Sequence, residues 1–237
     1  MAGMKMIISC RRRPDLSRQA FFDHLRHAHW PLVQRHPAVL DCIDGYVQNH
    51  ALGDDSPPSP PAPFRVARDR DSVIELYFEE GALARLMAAP GYLEQVRPDE
   101  ARFNDLASNV MVRTRPEVLF DQPTVGRCKR FDFIAREPDR AAGPFLETLA
   151  AEARRLALDP LYSGLVDRHV HNLTIAEEGA GQGFGEGEFD VVREVWAGSF
   201  EALTASGSVS EVAGADLDRS FSVFATEFVM KPPSGLA

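Results

Sequence analysis

Two stretches of sequence decide the fold: KMIISC at residues 5–10 and KRFDFI at residues 129–134. Each is a short apolar or alternating run that is followed within a few residues by arginine and Pro-Asp, the usual boundary of a β-strand. Phe21 and Phe145 are separated by the same offset as Lys5 and Lys129. The two runs therefore indicate that one half-domain occurs twice.

Further matches follow along the chain in the same order. They pair residues 45–49 with 168–172, then Asp71, Glu75 and Tyr77 with Asp190, Glu194 and Trp196, and then Asp99, Glu100 and Phe103 with Asp218 and Phe221. A repeat of this length is too long for a solenoid unit. The sequence therefore predicts two fused half-domains, residues 1–120 and 121–237.

Each half-domain follows the order strand, helix, strand, strand, helix, strand. Apolar spacing predicts strands at 4–10, 46–50, 72–78 and 109–113, and again at 130–134, 165–173, 189–196 and 225–231. The first helix begins near Ser17, a favourable N-cap residue, and Pro31 is expected to end or kink it. Later helices are predicted at 81–88, around 145–156 and at 200–205, with residues 114–127 connecting the halves. This order is that of the α+β ferredoxin-like βαββαβ unit, whose open sheet face needs a cover, so two units can pack sheet to sheet.

Each half also carries an irregular insertion between its second and third strands. The first is rich in proline, at residues 56–63, and the second is rich in glycine, at residues 179–187. Both are expected to be exposed connections that tolerate changes in length. The alternative is a lid over a pocket.

Composition limits the classes of partner. The 26 basic and 35 acidic residues give a net charge of −9, and the basic residues are dispersed, so nucleic acid is not expected as a partner. No run approaches the roughly 20 apolar residues that span a membrane, and three cysteines without paired spacing favour a reducing compartment. We expect a cytoplasmic protein with no membrane partner.

The first half carries the most informative polar group, the histidine of His29-Trp30-Pro31. On a helix, His29 falls within the apolar stripe of Leu25 and Leu32, whereas His27 points to the opposite side. A partly buried imidazole that has a hydrogen-bond partner suits proton transfer near neutral pH. The alternative is a satisfied core histidine. Ala153 stands at the matching place in the second half, so the fold itself does not require the histidine.

Strand alternation identifies further candidates. Ile74, Leu76 and Phe78 are assigned to the helix side, which turns Glu75 and Tyr77 toward the interior between the sheets. Val47, Phe131 and Phe133 are likewise assigned to the helix side. The full set of side chains predicted to face inward and bind substrate or assist catalysis is Tyr46, Gln48, His50, Glu75, Tyr77, Arg130, Asp132, His169, His171, Glu194 and Trp196.

Two alternatives remain for this set. Glu75 and Glu194 occur in both halves, which suits a structural role as buried carboxylates paired to a base or hydroxyl across the interior. His169 and His171 have a spacing that could bind a metal with Glu194 or Asp132, but no metal is expected. Glycine-rich phosphate and dinucleotide loops, the nucleophile elbow and cysteine metal boxes are all missing from the sequence.

These residues together resemble the EthD family of the dimeric alpha-beta barrel proteins, named from ethyl tert-butyl ether degradation. The resemblance is carried by Arg13-Pro14, Phe21, His29 before Pro31, residues 45–50, Asp71 with Glu75 and Tyr77, and Asp99-Glu100 with Phe103. It covers nearly the whole first half, and the second half resembles a diverged version. It implies that the two repeats form one alpha-beta barrel within the chain, so that a monomer is sufficient and a homodimer is an additional option.

The resemblance also implies a function. A small, mainly apolar organic substrate would react in the barrel without a cofactor, in an isomerase, lyase or monooxygenase-type oxidoreductase. His29 would act as general acid or base, and Tyr46 or His50 would donate a hydrogen bond to the developing anion. Two alternatives are a heme-binding oxygenase or dehydratase with His29, His50 or a second-half histidine as axial ligand, and a ligand-binding accessory protein without catalysis.

Overall fold

The structure is a computed structural model that describes residues 3–53, 63–123, 125–175, 188–207 and 212–234. The glycine-rich insertion and the proline-rich insertion up to residue 62 lie outside the described residues.

Within the described residues, eight long strands form a closed antiparallel barrel. They are β1 (Met4–Cys10), β2 (Gly45–Ala51), β4 (Ser72–Phe78), β5 (Val110–Asp121), β6 (Cys128–Ile134), β7 (Arg168–Thr174), β8 (Val191–Ala197) and β9 (Phe221–Lys231). The hydrogen-bonded order is β2-β4-β1-β5-β7-β8-β6-β9, and β9 pairs with β2 to close the ring. A two-residue strand, β3 (Arg65–Val66), adds a short parallel pairing to β9.

Helices cover the outside of the barrel. In the first half they are α1 (Arg18–His24), a π-helical turn (Leu25–His29), α2 (Trp30–Gln34), α3 (Pro37–Leu40), α4 (Ala82–Ala88), a second π-helical turn (Tyr92–Val96), α5 (Arg97–Glu100) and a 3₁₀ turn (Leu106–Ser108). In the second half they are α6 (Ala142–Ala157), α7 (Pro160–Ser163) and α8 (Phe200–Gly207). The fold is therefore a mixed α/β barrel with helices packed on its outer surface.

The barrel interior is filled by side chains from all sides. Ile7, Val73, Val112, Phe131 and Phe133 belong to one fully buried apolar cluster. A second interior layer is ionic and contains Lys5, Glu75, Lys129 and Glu194. Burial of both faces is typical of a sheet that is covered by helices on one side and closed on itself on the other.

Most elements lie where the sequence predicts them, but the connection between the halves does not. The predicted strands 4–10 and 72–78 match β1 and β4, and Ser17 caps α1 by accepting a hydrogen bond from the Ala20 amide. The connection predicted at 114–127 is wrong over most of its length, because β5 continues to Asp121 and pairs with β7. Barrel closure requires this edge pairing, which hydrophobic periodicity alone does not indicate.

The predicted orientation of β4 agrees with the structure, whereas those of β2, β6 and β7 are wrong. Val47, Phe131 and Phe133 face the barrel interior, so Tyr46, Gln48, His50, Arg130, Asp132, His169 and His171 face the helices. The prediction assigned apolar side chains to the helix side. Because the barrel interior is also apolar, hydrophobicity does not distinguish the two faces of these strands.

Candidate active site

A cavity of about 260 Å³ lies between the helices of the first half and the outer face of its sheet. Its floor is apolar, with Met6 and Ile8 from β1, Ile74 and Leu76 from β4, and Met111 from β5. The helices supply Leu25, His29 and Val33 from above. The site therefore lies outside the barrel, and the prediction of a pocket in the barrel interior that holds His29 is wrong.

A π-helical turn places His29 against this cavity. The first helix passes from α1 into the π turn at Leu25 and resumes as α2 at Trp30. Pro31 lies in the first turn of α2, so the expected end of the helix at Pro31 is wrong; the departure from α-helical geometry is the π turn directly before α2. The wider π turn accommodates a residue that lacks a backbone amide hydrogen, and such turns are frequent at functional sites.

His29 is held by a carboxylate. Its Nδ1 atom lies 2.9 Å from Oδ2 of Asp99, which also contacts Nε2 of His24 at 3.1 Å. His29 is 8% exposed, and its ring packs 5.2 Å from the ring of Phe103. The predicted partial burial of His29 and exposure of His27 are both confirmed. Because Nδ1 is engaged by Asp99, Nε2 is the nitrogen that remains for a molecule in the cavity.

Asp99 and its neighbour Glu100 have opposite electrostatic environments. The hydrogen bond from His29 lowers the pKa of Asp99, with a further contribution from His24. Burial raises the pKa of Glu100, although Arg97 forms an ion pair with it. Asp99 therefore remains a carboxylate that orients His29, while Glu100 lines the cavity as a more readily protonated acid.

Asp99 and Glu100 belong to the sequence pattern that resembles the EthD family, but the sequence alone indicates no role for either. A buried histidine needs a hydrogen-bond partner, and this requirement is the signal that could have pointed to Asp99. Its partner is 70 residues away and lies on a short helix that the apolar pattern does not predict.

Tyr46, from β2, also lines the cavity. Its hydroxyl accepts a hydrogen bond of 3.1 Å from Gln48, and its ring lies 5.0 Å from that of Trp30. Burial raises the pKa of Tyr46, so the hydroxyl keeps its hydrogen. Tyr46 can therefore donate a hydrogen bond to an oxygen atom of a bound molecule. The Gln48 side chain fixes the tyrosine, because it donates hydrogen bonds both to the Tyr46 hydroxyl and to the backbone carbonyl of Leu25.

His50 lies outside the lining of the cavity. Its ring stacks on Phe22 at 4.1 Å and packs against Phe228 at 4.5 Å. Burial, followed by the charge of Arg26, lowers the pKa of His50 to about 4. This geometry gives His50 a packing role at the seam between β2 and β9.

Two amide groups and a thiol also belong to the lining. The Oδ1 atoms of Asn104 and Asn109 are buried without a hydrogen-bond partner among the described residues. Cys10 lies on the floor, and burial raises the pKa of its thiol to about 12. Cys10 is therefore an apolar contact at neutral pH, while the amides can bind a polar group of a ligand.

Glu75, Tyr77, Glu194 and Trp196 face the barrel interior as predicted, away from His29. Lys5 lies 2.5 Å from both carboxylates, and the Tyr77 hydroxyl donates to Glu75 at 2.9 Å. Burial disfavours the charged form of Glu75, but Lys129 and Lys5 outweigh it and lower its pKa. Tyr77 and Trp196 also line a separate cavity of about 190 Å³ at one end of the barrel. The structure thus places these four residues in an ion-paired interior layer.

The remaining predicted residues lie together in the second half. Arg130, Asp132, His169 and His171 pack between the outer face of the second-half sheet and α7 and α8. Glu194 is on the opposite face of β8. Within the described part of the chain, no three His, Cys, Asp or Glu side chains are grouped so that they could hold a metal ion, and no helix is long and apolar enough to cross a membrane.

Residues 13–107 match the family model of the EthD domain. The match covers 95 of the 237 residues, all of them in the first half. The matched range contains His29, Asp99 and the part of the cavity floor that β4 supplies, and it agrees with the family that the sequence resembles. No curated protein matches the chain in sequence.

Solved structures with the same fold span the whole chain. An anthrone oxidase-like protein is 10% identical with a TM-score of 0.56, over 100% of this chain and 97% of its own. A monooxygenase candidate from Fusobacterium nucleatum is 8% identical with a TM-score of 0.55, over 97% and 93%. A variant of chlorite dismutase from Candidatus Nitrospira defluvii is 7% identical with a TM-score of 0.52, over 95% and 92%. These likenesses show the dimeric alpha-beta barrel fold.

Proposed function

We propose that the EthD half is an enzyme that removes a proton from a small, mainly apolar organic substrate, with His29 as the general base. The observation that carries this proposal is the hydrogen bond between Asp99 and Nδ1 of His29, on the wall of an otherwise apolar cavity. A carboxylate in this position fixes the tautomer of the imidazole and stabilises the imidazolium that forms when Nε2 takes a proton.

The lining residues define the substrate that fits best. The floor of Met6, Ile8 and Ile74 suits a flat apolar ring system. Tyr46 would donate a hydrogen bond to the enolate or phenolate that develops beside His29. The amides of Asn104 and Asn109 would bind a second polar group of the same substrate, because their buried oxygens otherwise lack a partner.

We propose oxidation as the overall reaction. Removal of a proton makes a phenol or an activated methylene electron-rich enough to react with oxygen without a cofactor. The names of the anthrone oxidase-like and monooxygenase-candidate neighbours support an oxidoreductase of this type. Isomerisation or elimination would share the same first step, and oxygen consumption separates oxidation from both.

The proposed reaction uses no heme. The cavity of about 260 Å³ lies below the roughly 300–1,000 Å³ of typical small-molecule pockets, and a porphyrin is larger than the ligands that fit such a volume. His50 is enclosed between Phe22 and Phe228, which leaves no room for a planar macrocycle at its ring. In the first half, the described residues thus fit a small organic molecule better than a heme.

We further propose that the two halves are diverged copies of one ferredoxin-like unit. The strand orders support this proposal. If the long strands of each half are numbered along the chain, both β2-β4-β1-β5 and β7-β8-β6-β9 place the second strand first, followed by the third, the first and the fourth. Arg12 with Asp71 and Arg136 with Asp190 are ion pairs at matching places. The catalytic group differs between the copies, since buried Ala153 stands in α6 at the place that His29 takes in the first half.

Deuterium exchange tests the proton transfer without knowledge of the natural substrate. The probes are naphthols, anthrones and β-diketones, incubated with the full chain in deuterated buffer without oxygen and followed by NMR. His29→Gln should slow exchange at the acidic position by roughly 100-fold or more. His27→Gln is the matched control, because His27 is exposed on the same turn and should leave the rate unchanged.

Equal rates in the His29→Gln variant and the unmodified chain, with a probe that binds, would reject His29 as the base. Tight binding of a probe without exchange in either protein would instead favour a ligand-binding accessory protein. Oxygen uptake with the same probes then decides whether the reaction is an oxidation.

A further inference from the structure

A second cluster of polar side chains lies under the helices of the second half. The side chains of Arg130, Asp132, Arg193, His169 and His171 are between 0% and 3% exposed. The cluster lies on the outer face of the sheet and is covered by α7 and α8, through Tyr162 and the carbonyl of Leu203. It is separate from the cavity that contains His29.

The cluster occupies the place in the second sheet that the cavity floor takes in the first. Across β2, β4, β1 and β5, one row of outward side chains reads Gln48, Ile74, Ile8 and Met111. Across β7, β8, β6 and β9, the matching row reads His171, Arg193, Asp132 and Ser222. An apolar floor in one half is thus replaced by charged and polar groups in the other.

Asp132 organises the charged groups. Its Oδ2 atom accepts hydrogen bonds from Nε of Arg130 at 3.1 Å and from Nε of Arg193 at 2.9 Å, and its Oδ1 accepts from Ser222 at 2.6 Å. Burial disfavours the charged form of Arg193, but Asp132 and then Glu152 outweigh it and raise its pKa. Two charged guanidinium groups are therefore held side by side.

Four nitrogen atoms of the cluster have no hydrogen-bond partner among the described residues. They are Nη2 of Arg130, Nη2 of Arg193, Nε2 of His169 and Nε2 of His171. The Tyr162 hydroxyl lies 3.0 Å from Nδ1 of His169, and donation to Nδ1 leaves the ring hydrogen on Nε2. A buried polar atom without a partner is costly, so several in one place point to a ligand that binds between them.

We propose that this cluster is a second binding site, which takes a small carboxylate or inorganic oxyanion between Arg130, Arg193, His169 and His171. The planar guanidinium fork matches two oxygens of such a ligand. The separate oxygens of such a ligand can contact the guanidinium and imidazole nitrogens at different points, whereas a halide must contact them all with one atom. The site is independent of the proposed reaction at His29.

Calorimetric titration of the full chain with sodium formate and sodium nitrate tests the site, with sodium chloride at equal ionic strength as reference. We expect saturable binding of formate or nitrate and weaker binding of chloride. His171→Leu should weaken binding by roughly tenfold or more, since it removes one of the nitrogen atoms that would contact the ligand. Gln48→Leu, at the matching position of the first sheet, is the control and should bind as the unmodified chain does.

A crystal structure of the unmodified chain grown with formate tests the site without any variant, so the result does not depend on whether His171→Leu folds. The proposal expects formate within hydrogen-bond distance of both Nη2 atoms. Water alone in this position, or equal heats for all three salts, would overturn it. Formate in the crystal without saturable binding in solution would identify an adventitious ion only and would also overturn it.

Discussion

At the residue scale, the sequence identifies His29 but not the group that activates it. Its burial follows from its place in the apolar stripe, and the absence of a histidine at Ala153 argues against a purely structural need. Asp99 could not be derived, because a contact between residues so far apart in the chain depends on how α5 packs against the first helix. Tyr46 was recognised as a candidate, although on the wrong face of its strand.

Replacement of Asp99 tests the pairing directly. Asp99→Asn removes the carboxylate charge that stabilises the imidazolium of His29, so it should slow deuterium exchange by roughly tenfold while the affinity for the probe stays unchanged. The measurement is the exchange rate beside the probe's dissociation constant. A weaker affinity with an unchanged rate would make Asp99 a binding group instead.

The same variant gives a second readout in acid. Because the pKa of Asp99 is lowered in the folded protein, its ionised form stabilises the fold above the unfolded value of about 4, and that contribution is lost as the pH falls through the folded pKa. Acid unfolding of the unmodified chain should therefore depend more steeply on pH below about 4 than that of Asp99→Asn. Identical pH profiles would contradict the lowered pKa.

At the element scale, the strands were predictable in position and only partly in orientation. β1 and β4 coincide with the predicted runs. β2 and β6 are reversed, because the barrel interior contains both an apolar cluster around Phe131 and an ionic layer around Glu75. Neither hydrophobicity nor charge therefore indicates which face of such a strand points into the barrel. The orientation is set by the pairing with neighbouring strands around the closed barrel.

Replacement of Glu75 on β4 tests whether the polar groups of the barrel interior stabilise the fold or bind substrate. Glu75→Gln leaves Lys5 and Lys129 with one carboxylate fewer, which should lower the free energy of unfolding by roughly 3–5 kcal/mol. Glu79→Gln, at an exposed position after the same strand, is the control and should have little effect. Denaturant unfolding measures both.

Probe binding decides the alternative for Glu75. Glu75 contacts substrate if the Glu75→Gln chain binds the probes more weakly but unfolds at the same denaturant concentration as the unmodified chain. Lower stability with normal probe affinity would support the ion-paired layer.

At the scale of the whole molecule, one chain closes a barrel from eight strands and uses its two outer faces differently. The first-half sheet presents an apolar floor beneath His29, and the second-half sheet presents the row around Asp132. The sequence predicts one principal pocket in the first half, and the structure has a cavity of about 260 Å³ there. This cavity lies under the helices and not in the barrel interior, where the sequence places the pocket. The two locations can be distinguished only when the positions of both the sheet and the helices are known.

The location of a bound ligand tests this account most directly. A crystal structure of the chain with a bromonaphthol, its bromine located by anomalous scattering, should show the hydroxyl within hydrogen-bond distance of Nε2 of His29 and the ring on Ile74 and Met111. Binding beside Tyr77 and Trp196 at the end of the barrel, with the cavity under His29 empty, would contradict it.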